Sequence, residues 1–209
     1  MEILNLINKG SLQLKNKRID SHKIDSEILL SKVLSKTREE LLVNLNQEIS
    51  SKHISNFHRF IKRRSSKEPI AYILKEKEFW SKKFLVNKNT LIPRPETELM
   101  VEKIVKIFKT KSIFILDIGT GTGCILLSIL SELKNSKGIG VDISKKAIEI
   151  ALANSKKHRL IERAKFYKKS LTEIYNSKFD LIVSNPPYIR KKDLKNLDDD
   201  IKKFEPKLA

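Results

Sequence analysis

The chain contains 209 residues, of which 40% are hydrophobic and 33% charged, a balance typical of a globular protein rather than a disordered one. It holds no apolar run near the roughly 18 residues that a membrane span requires. The N-terminal residues lack the apolar core of a signal peptide, so we expect no secretory leader. A single cysteine, Cys124, excludes an intramolecular disulfide. The four histidines lack the spacing of a metal-binding motif. We therefore expect a cytoplasmic protein with no metal site and no membrane partner.

The formal net charge of +18 raises the question of a nucleic-acid partner. Residues 1–90 carry 19 basic and 10 acidic side chains, and residues 91–209 carry 24 and 15, so the excess is spread evenly. Lysine accounts for 34 of the 43 basic residues. An even, lysine-dominated excess indicates compositional bias rather than a binding face, and we expect no specific nucleic-acid partner.

The N-terminal part, residues 1–74, is predicted to form a small helical domain. Apolar side chains recur at helical spacing over residues 24–34 and again over residues 54–61. The basic, serine-containing segment 62–67 is expected to break this helical pattern.

A linking β-hairpin is predicted over residues 75–92. Residues 78–86 have strand character, and the chain is expected to turn at 87–89. Two prolines in the segment 91–96 predict a rigid loop, because proline fixes the backbone and restricts the residue before it. An amphipathic helix is expected over residues 96–109.

From residue 112 onward, short apolar runs alternate with helical segments. Four of these runs predict buried parallel strands: 112–117, 138–142, 164–167 and 179–184. Helices are predicted at 124–133 and 144–157. This rhythm predicts an α/β fold with a Rossmann-like, doubly wound domain over residues 93–209.

A glycine loop, Asp117-Ile-Gly-Thr-Gly-Thr-Gly123, follows the first of these strands. Cys124 occupies the third glycine position of a dinucleotide fingerprint, and no Gly-Lys-Ser/Thr is present, so both phosphate-binding loops are excluded. The acid at the start would repel a pyrophosphate but suits a ligand with an ammonium and a sulfonium. Asp142 ends the next strand, placed to accept hydrogen bonds from ribose hydroxyls. The pattern favours S-adenosyl-L-methionine; the alternative is a tight turn with an ordinary polar acid.

The segment Asn185-Pro186-Pro187-Tyr188 follows the last predicted strand. Its prolines lack N–H donors, Asn185 adds an acceptor and Tyr188 an aromatic face. Such a pocket suits a planar group bearing an NH2, either an amide or the exocyclic amine of a base. Catalysis there would be mainly proximity and alignment. The alternative is a proline-rich strand exit with no chemical role.

Together these two motifs resemble those of the class I amino-methyltransferases and, within them, the release-factor glutamine methyltransferases (the HemK/PrmC family). Further segments carry the same resemblance: Glu68–Ile73, Glu78–Trp80, Leu91–Glu98, Val183–Ile189 and Glu205–Ala209. Members pair a small N-terminal helical domain, linked to substrate recognition, with a Rossmann-like catalytic domain. They methylate the glutamine side chain in the Gly-Gly-Gln motif of class 1 peptide-chain release factors.

The resemblance implies roles for individual residues. The loop Gly119–Gly123 would hold the methionine part of the cofactor, Asp142 the ribose, and Asn185 would touch both cofactor and substrate. The residues expected to bind the cofactor are Asp117, Gly119, Thr120, Gly121, Thr122, Gly123, Asp142, Ser170 and Asn185. Those expected to bind the substrate amide are Asn185, Pro186, Pro187, Tyr188 and Phe79. The catalytic residues would be Asn185, Pro186 and Tyr188.

Two family-typical segments leave their roles open. Phe79 and Trp80 either shape the substrate pocket or only pack the hairpin. Arg94, Glu96 and Glu98 either contribute to the site or form a structural loop that buttresses it.

The chain departs from the family pattern in two places. A pair such as Asp-Trp, which adjoins the adenine, is replaced here by Lys169-Ser170-Leu171. The family pattern also continues for about 70 residues past Ala209, the scale of a full α/β domain. We therefore expect a C-terminally truncated member: a fragment, one half of a split gene that needs a separate C-terminal fragment, or a decaying gene. The resemblance implies that the remaining strands have the order 3-2-1-4.

Two other functions remain open from the sequence. A nucleic-acid adenine-N6 methyltransferase uses the same Asn-Pro-Pro-Tyr chemistry on a flipped base. The net charge favours it slightly, whereas the even charge distribution and the Pro-Arg-Pro-Glu-Thr-Glu segment count against it. The second alternative is a truncated, inactive chain that binds the cofactor weakly.

Overall fold

The computed structural model describes residues 1–173, 178–186 and 203–206 of the chain. These residues divide into two units. One consists of Met1–Leu74 together with residues 203–204, and the other begins at Lys75 and includes residues 205–206.

The first unit is helical. Its helices are α1 (Ile3–Lys15), α2 (His22–Leu34), α3 (Arg38–Val43), α4 (Ser51–Ser65) and α5 (Ile70–Leu74). Apolar side chains at helical spacing on α1, α2 and α4 meet in one core, in which Leu6, Leu29 and Phe57 have no exposed surface. A capping box formed by Thr37 and Glu40 begins α3.

Helix α4 continues through Ser65, so the expectation that residues 62–67 break the helix is wrong for their first four members. Two of the four basic side chains in this segment are held by ion pairs instead. Arg64 Nε lies 2.7 Å from Asp25 Oδ2 on α2, and Arg63 Nε donates to Glu68 at 2.8 Å. Basic residues in the last turn also favour a helix, because they face the negative end of its dipole.

The second unit begins with a β-hairpin, β1 (Glu76–Phe79) paired antiparallel with β2 (Lys82–Leu85). The hairpin turns at Trp80 and Ser81, both with positive φ of 52° and 53°, inside the segment 78–86 that was expected to be strand throughout. A turn does follow at the expected 87–89, where the Thr90 amide donates to the carbonyl of Asn87 at 3.0 Å. The reason for the turn at Trp80 is tertiary: Glu98 accepts the Trp80 backbone N–H at 2.9 Å, and Glu132 accepts its indole N–H at 3.0 Å. These contacts hold a turn that the residue types alone do not signal.

A parallel sheet forms the centre of the second unit. Its strands are β3 (Phe114–Ile118), β4 (Lys137–Asp142), β5 (Ala164–Lys168) and β6 (Leu181–Ser184), in the order β5-β4-β3-β6. All three pairings within it are parallel. The strand order 3-2-1-4 and the α/β class are therefore confirmed.

Three helices accompany this sheet: α6 (Glu98–Phe108), α7 (Cys124–Glu132) and α8 (Lys145–Lys157), with a 3-10 turn at Pro95–Thr97 before the first. Helix α7 is largely apolar, which suits its position, since all seven residues from Cys124 to Leu130 are buried. Within the described ranges, no helix is both long and apolar enough to cross a membrane.

Candidate functional site

Three parallel strands, β3, β4 and β6, deliver their carboxyl ends to one edge of the sheet, where a cavity of about 520 Å³ opens. Ligands of α/β sheets bind in this position. The cavity-lining residues that end or follow these three strands are Ile118, Gly119, Gly121, Val141, Asp142, Ile143, Ser144, Ser184, Asn185 and Pro186. The other lining residues are Lys88, Asn89, Thr90, Leu91, Ala147, Lys169, Ser170 and Pro206.

The glycine loop after β3 has a left-handed backbone conformation that residues other than glycine rarely adopt. Gly119, Gly121 and Gly123 have φ of 70°, 54° and 77°. The amides of Gly119 and Thr120 both donate to the carbonyl of Val141, at 2.9 and 3.0 Å. A Cβ built on Gly119 would meet no atom within 4 Å, so the backbone there faces open space. A ligand can therefore approach the chain closely at this point.

Gly140 on β4 allows the loop to lie against the sheet. A Cβ at this position would lie 2.7 Å from Thr120 Oγ1 and 2.6 Å from the Phe166 ring. Any larger residue would therefore displace the start of the glycine loop.

Asp117 is buried beside the loop, with 1% of its surface exposed, and it is not among the residues lining the cavity. Its Oδ2 accepts a hydrogen bond from Thr120 Oγ1 at 2.6 Å. Burial raises the pKa of Asp117 to about 6, while the Thr120 and Leu126 donors oppose the rise and the charge of Asp142 adds to it. Oδ1 makes no hydrogen bond to a described residue. When ionised, this partly unsatisfied carboxyl favours a cationic ligand at the loop.

Asp142 lines the cavity at the tip of β4, and both of its carboxylate oxygens are oriented by backbone amides. Oδ2 accepts from Gly121 at 3.0 Å and Oδ1 accepts from Ser144 at 2.8 Å. Because a carboxylate oxygen has two lone pairs, each oxygen keeps one acceptor position. Two vicinal hydroxyls, such as those of a ribose, match this arrangement.

Asn154 on α8 was not identified from the sequence, yet it holds the loop in place. Its side chain is fully buried, and Nδ2 donates to the carbonyls of Thr122 at 2.9 Å and Leu85 at 3.0 Å. Its Oδ1 accepts from the Leu85 amide at 2.7 Å. The available signal was a polar residue on the apolar stripe of α8, one turn after Ala151.

The end of β6 brings Asn185 and Pro186 to the cavity. Ser184 Oγ donates to the carbonyl of Ile118 at 2.9 Å, which fixes the strand end against β3. Asn185 Nδ2 donates to Thr97 Oγ1 at 3.3 Å, and its Oδ1 accepts no hydrogen bond from a described residue. Pro187 and Tyr188, which were also predicted here, lie outside the described residues.

Two other predicted residues lie elsewhere or are already engaged. Phe79 is 1% exposed and packs edge-to-face on Phe84 in the core, so the structure does not place it at the cavity. It ends a short strand with its apolar side chain turned inward. Ser170 does line the cavity, but its amide and hydroxyl both donate to Glu173, at 2.7 and 2.9 Å. Among the described residues, no cluster of three or more His, Cys, Asp or Glu could hold a metal.

Comparison with known proteins matches both units. The family described as PrmC N-terminal domain matches residues 5–74, and the methyltransferase small domain matches residues 95–201. A release factor glutamine methyltransferase from Buchnera aphidicola (subsp. Acyrthosiphon pisum) is 42% identical over 95% of this chain and 70% of that protein. A bifunctional methyltransferase from Rickettsia typhi is 37% identical over 99% of this chain and 44% of that protein.

One solved structure with a similar arrangement is an RNA methyltransferase from Salinibacter ruber in complex with S-adenosyl-L-homocysteine. It is 19% identical, and the match covers 44% of this chain and 60% of that one, with a TM-score of 0.39. At this score the likeness is too weak to bear on the assignment.

The parallel sheet, its glycine loop and the match over half of the chain define an S-adenosyl-L-methionine-dependent methyltransferase. The residues fit that cofactor, since the open backbone of the glycine loop and the remaining acceptor positions of Asp142 line one cavity. The Asp117 carboxyl, with one oxygen lacking a hydrogen bond to a described residue, is buried beside the loop. The chain belongs to the release factor glutamine methyltransferase family.

Proposed function

We propose that this chain methylates the side-chain amide nitrogen of the glutamine in the Gly-Gly-Gln motif of class 1 peptide-chain release factors. The observation that carries the proposal is Asn185, whose carbonyl oxygen has no partner among the described residues at the rim of the cavity that Asp142 lines. An acceptor there matches the N–H groups of an amide substrate. The name of the Buchnera relative supports the same substrate.

Different residues at the site would bind different parts of the cofactor. Asp142 would accept the ribose hydroxyls with its two remaining acceptor positions, and the glycine loop would allow close approach of the methionine part. Asp117 would favour positive charge near the loop. When bound, S-adenosyl-L-methionine supplies a methyl group bonded to a sulfonium sulfur, and the neutral thioether that remains after transfer is a good leaving group.

Asn185 would align the substrate rather than remove its proton. By accepting an N–H of the glutamine amide, it would direct the nitrogen lone pair towards the methyl donor. The amide nitrogen gains the methyl and releases one proton to water, so no strong base is required. Positioning of this kind accounts for a large part of a rate acceleration. Pro186, Pro187 and Tyr188 are proposed to complete the amide pocket.

Residues 1–74 are proposed to recognise the release factor, with 75–92 as the linking hairpin and 93–209 as the catalytic domain. The match of residues 5–74 to the PrmC N-terminal domain supports this division. A cytoplasmic location is proposed because release factors act on ribosomes there.

The decisive experiment is mass spectrometry of a release factor after incubation with the chain and S-adenosyl-L-methionine. We expect a gain of one methyl group on the Gly-Gly-Gln glutamine, and no gain with the Asn185→Ala variant, although that variant should still bind cofactor. A parallel incubation with an adenine-containing oligonucleotide tests the adenine-N6 alternative, which the names of the relatives do not favour. Methylated adenine with an unmodified release factor would contradict the proposal.

A further inference from the structure

The segment Arg94–Glu98, whose role the sequence left open, joins three separate parts of the second unit. Arg94 Nη2 contacts both carboxylate oxygens of Glu205, at 2.8 and 2.7 Å. Thr97 Oγ1 accepts from Asn185 Nδ2 at 3.3 Å, and Glu98 accepts from the Trp80 amide at 2.9 Å. Only the Thr97 contact reaches a residue that the proposed reaction uses.

The position of the Thr97 hydroxyl is fixed by its own backbone. Pro95 begins the 3-10 turn, where its restricted φ is favourable, and the Thr97 amide donates to the carbonyl of Arg94 at 3.1 Å. Threonine also has few side-chain rotamers, because two heavy atoms branch at its Cβ. The hydroxyl is therefore a preorganised contact for a partner that lies 88 residues further along the chain.

Asn185 needs such a contact because its own strand does not orient its side chain. β6 ends at Ser184, so Asn185 follows the last residue that the sheet hydrogen bonds hold. Within the described part of the chain its side chain hydrogen bonds to Thr97 alone, through the amide nitrogen. That bond fixes the plane of the amide and leaves Oδ1 as the end available to an incoming N–H.

We propose that Thr97 is a positioning residue for Asn185: its hydroxyl holds the asparagine amide in the rotamer that presents Oδ1 at the cavity. Thr97 does not line the cavity itself, so it acts on the reaction only through Asn185. This inference rests on the proposed function, because it assigns Asn185 the alignment of the substrate amide.

The test is the substitution Thr97→Val, which removes the hydroxyl while keeping the shape of the side chain. We expect kcat for release-factor methylation to fall about tenfold, the scale of one lost orienting hydrogen bond. KM for S-adenosyl-L-methionine and the thermal midpoint should stay unchanged, since Thr97 is half-buried and lies outside the cavity wall. Thr97→Ser keeps the hydroxyl and should restore kcat. Thr110→Val, an exposed site after α6, is the matched control.

A second measurement separates failure of this proposal from failure of the proposed function. In the 15N-labelled protein, the Nδ2 signals of Asn185 can be identified by their loss in Asn185→Ala. We expect them to shift in Thr97→Val and to stay in place in Thr110→Val. Unshifted signals, or a wild-type kcat in Thr97→Val where Asn185→Ala is inactive, would overturn the role of Thr97. If the Asn185 signals shift in Thr97→Val but the wild-type chain does not methylate the release factor, the proposed function would be overturned instead.

Discussion

At the scale of single residues, the buried carboxyl of Asp117 links the folding stability to pH. Its pKa is raised from an ordinary value of 3.8 to about 6 by burial, so the folded protein holds this proton over a range in which the unfolded chain has released it. The stabilisation from the protonated form is complete below pH 3.8 and is lost as the pH rises through 6. The shift corresponds to about 3 kcal/mol.

We therefore expect Asp117→Asn to unfold at a higher temperature than the wild type at pH 7.5, with the difference shrinking as the pH falls towards 4. The same substitution removes the charge that favours a cationic cofactor, so S-adenosyl-L-methionine should bind more weakly at neutral pH. Thermal unfolding at several pH values and calorimetric titration measure the two effects. A difference in thermal midpoint that is independent of pH would contradict the assignment to Asp117.

The Asp142 carboxylate is expected to contribute directly to cofactor affinity. Asp142→Ala should weaken binding of S-adenosyl-L-homocysteine by about 1–3 kcal/mol through lost hydrogen bonds. Asp180 offers a matched control, because its Oδ2 accepts the Phe114 amide at 2.7 Å at the opposite end of β3. Asp180→Ala loses a comparable backbone contact but should leave the affinity unchanged in calorimetric titration. Equal losses in both variants would place the ribose site elsewhere.

Sequence patterns placed Asp142 and Asn185 near each other because Asp142 ends a strand and Asn185 follows one, and the carboxyl ends of parallel strands meet at one edge of a sheet. The residues that orient them were harder to identify. Thr97 and Asn185 are 88 positions apart, and no local periodicity reports a contact that only the folded chain creates. For Phe79 the sequence raised a role at the site, but the structure places the side chain in the core. A family-typical aromatic residue close to a site in sequence can therefore serve packing alone.

At the scale of the elements, Asn154 joins α8 to both β2 and the glycine loop. Asn154→Ala would leave the amide and carbonyl of Leu85 and the carbonyl of Thr122 without this partner. Because unsatisfied buried polar groups are expensive, we expect a loss of about 3 kcal/mol in the free energy of unfolding. Urea denaturation measures it, with the exposed Asn135→Ala as a control. A loss no larger than that of the control would show that the loop does not depend on this side chain.

The parallel strands and the helices of the second unit were predicted well because apolar runs of four to six residues mark buried parallel strands. The two errors have tertiary causes. The hairpin turns at Trp80 because Glu98 and Glu132 hold that residue, and α4 passes through Arg64 because Asp25 lies opposite. Neither partner is a neighbour in sequence, so local propensity pointed to other positions.

At the scale of the whole molecule, the two units have separate hydrophobic cores. A chain that lacks residues 1–74 should therefore keep the cofactor cavity, whose lining residues all lie beyond that range. We expect its affinity for S-adenosyl-L-homocysteine to change by no more than about threefold, while release-factor methylation falls by more than about tenfold. Equal losses of binding and methylation would argue against a recognition role for the first unit.

The chain contains one tryptophan, Trp80, and it belongs to the second unit. Its indole is half-buried and hydrogen-bonded to Glu132 on α7, so its emission will change when the hairpin leaves that helix. Far-ultraviolet circular dichroism, by contrast, is dominated by helices and samples both units. The protein thus carries an intrinsic optical probe of its cofactor-binding half, and coincidence of the two signals during denaturation would reveal whether both halves melt as a single cooperative body.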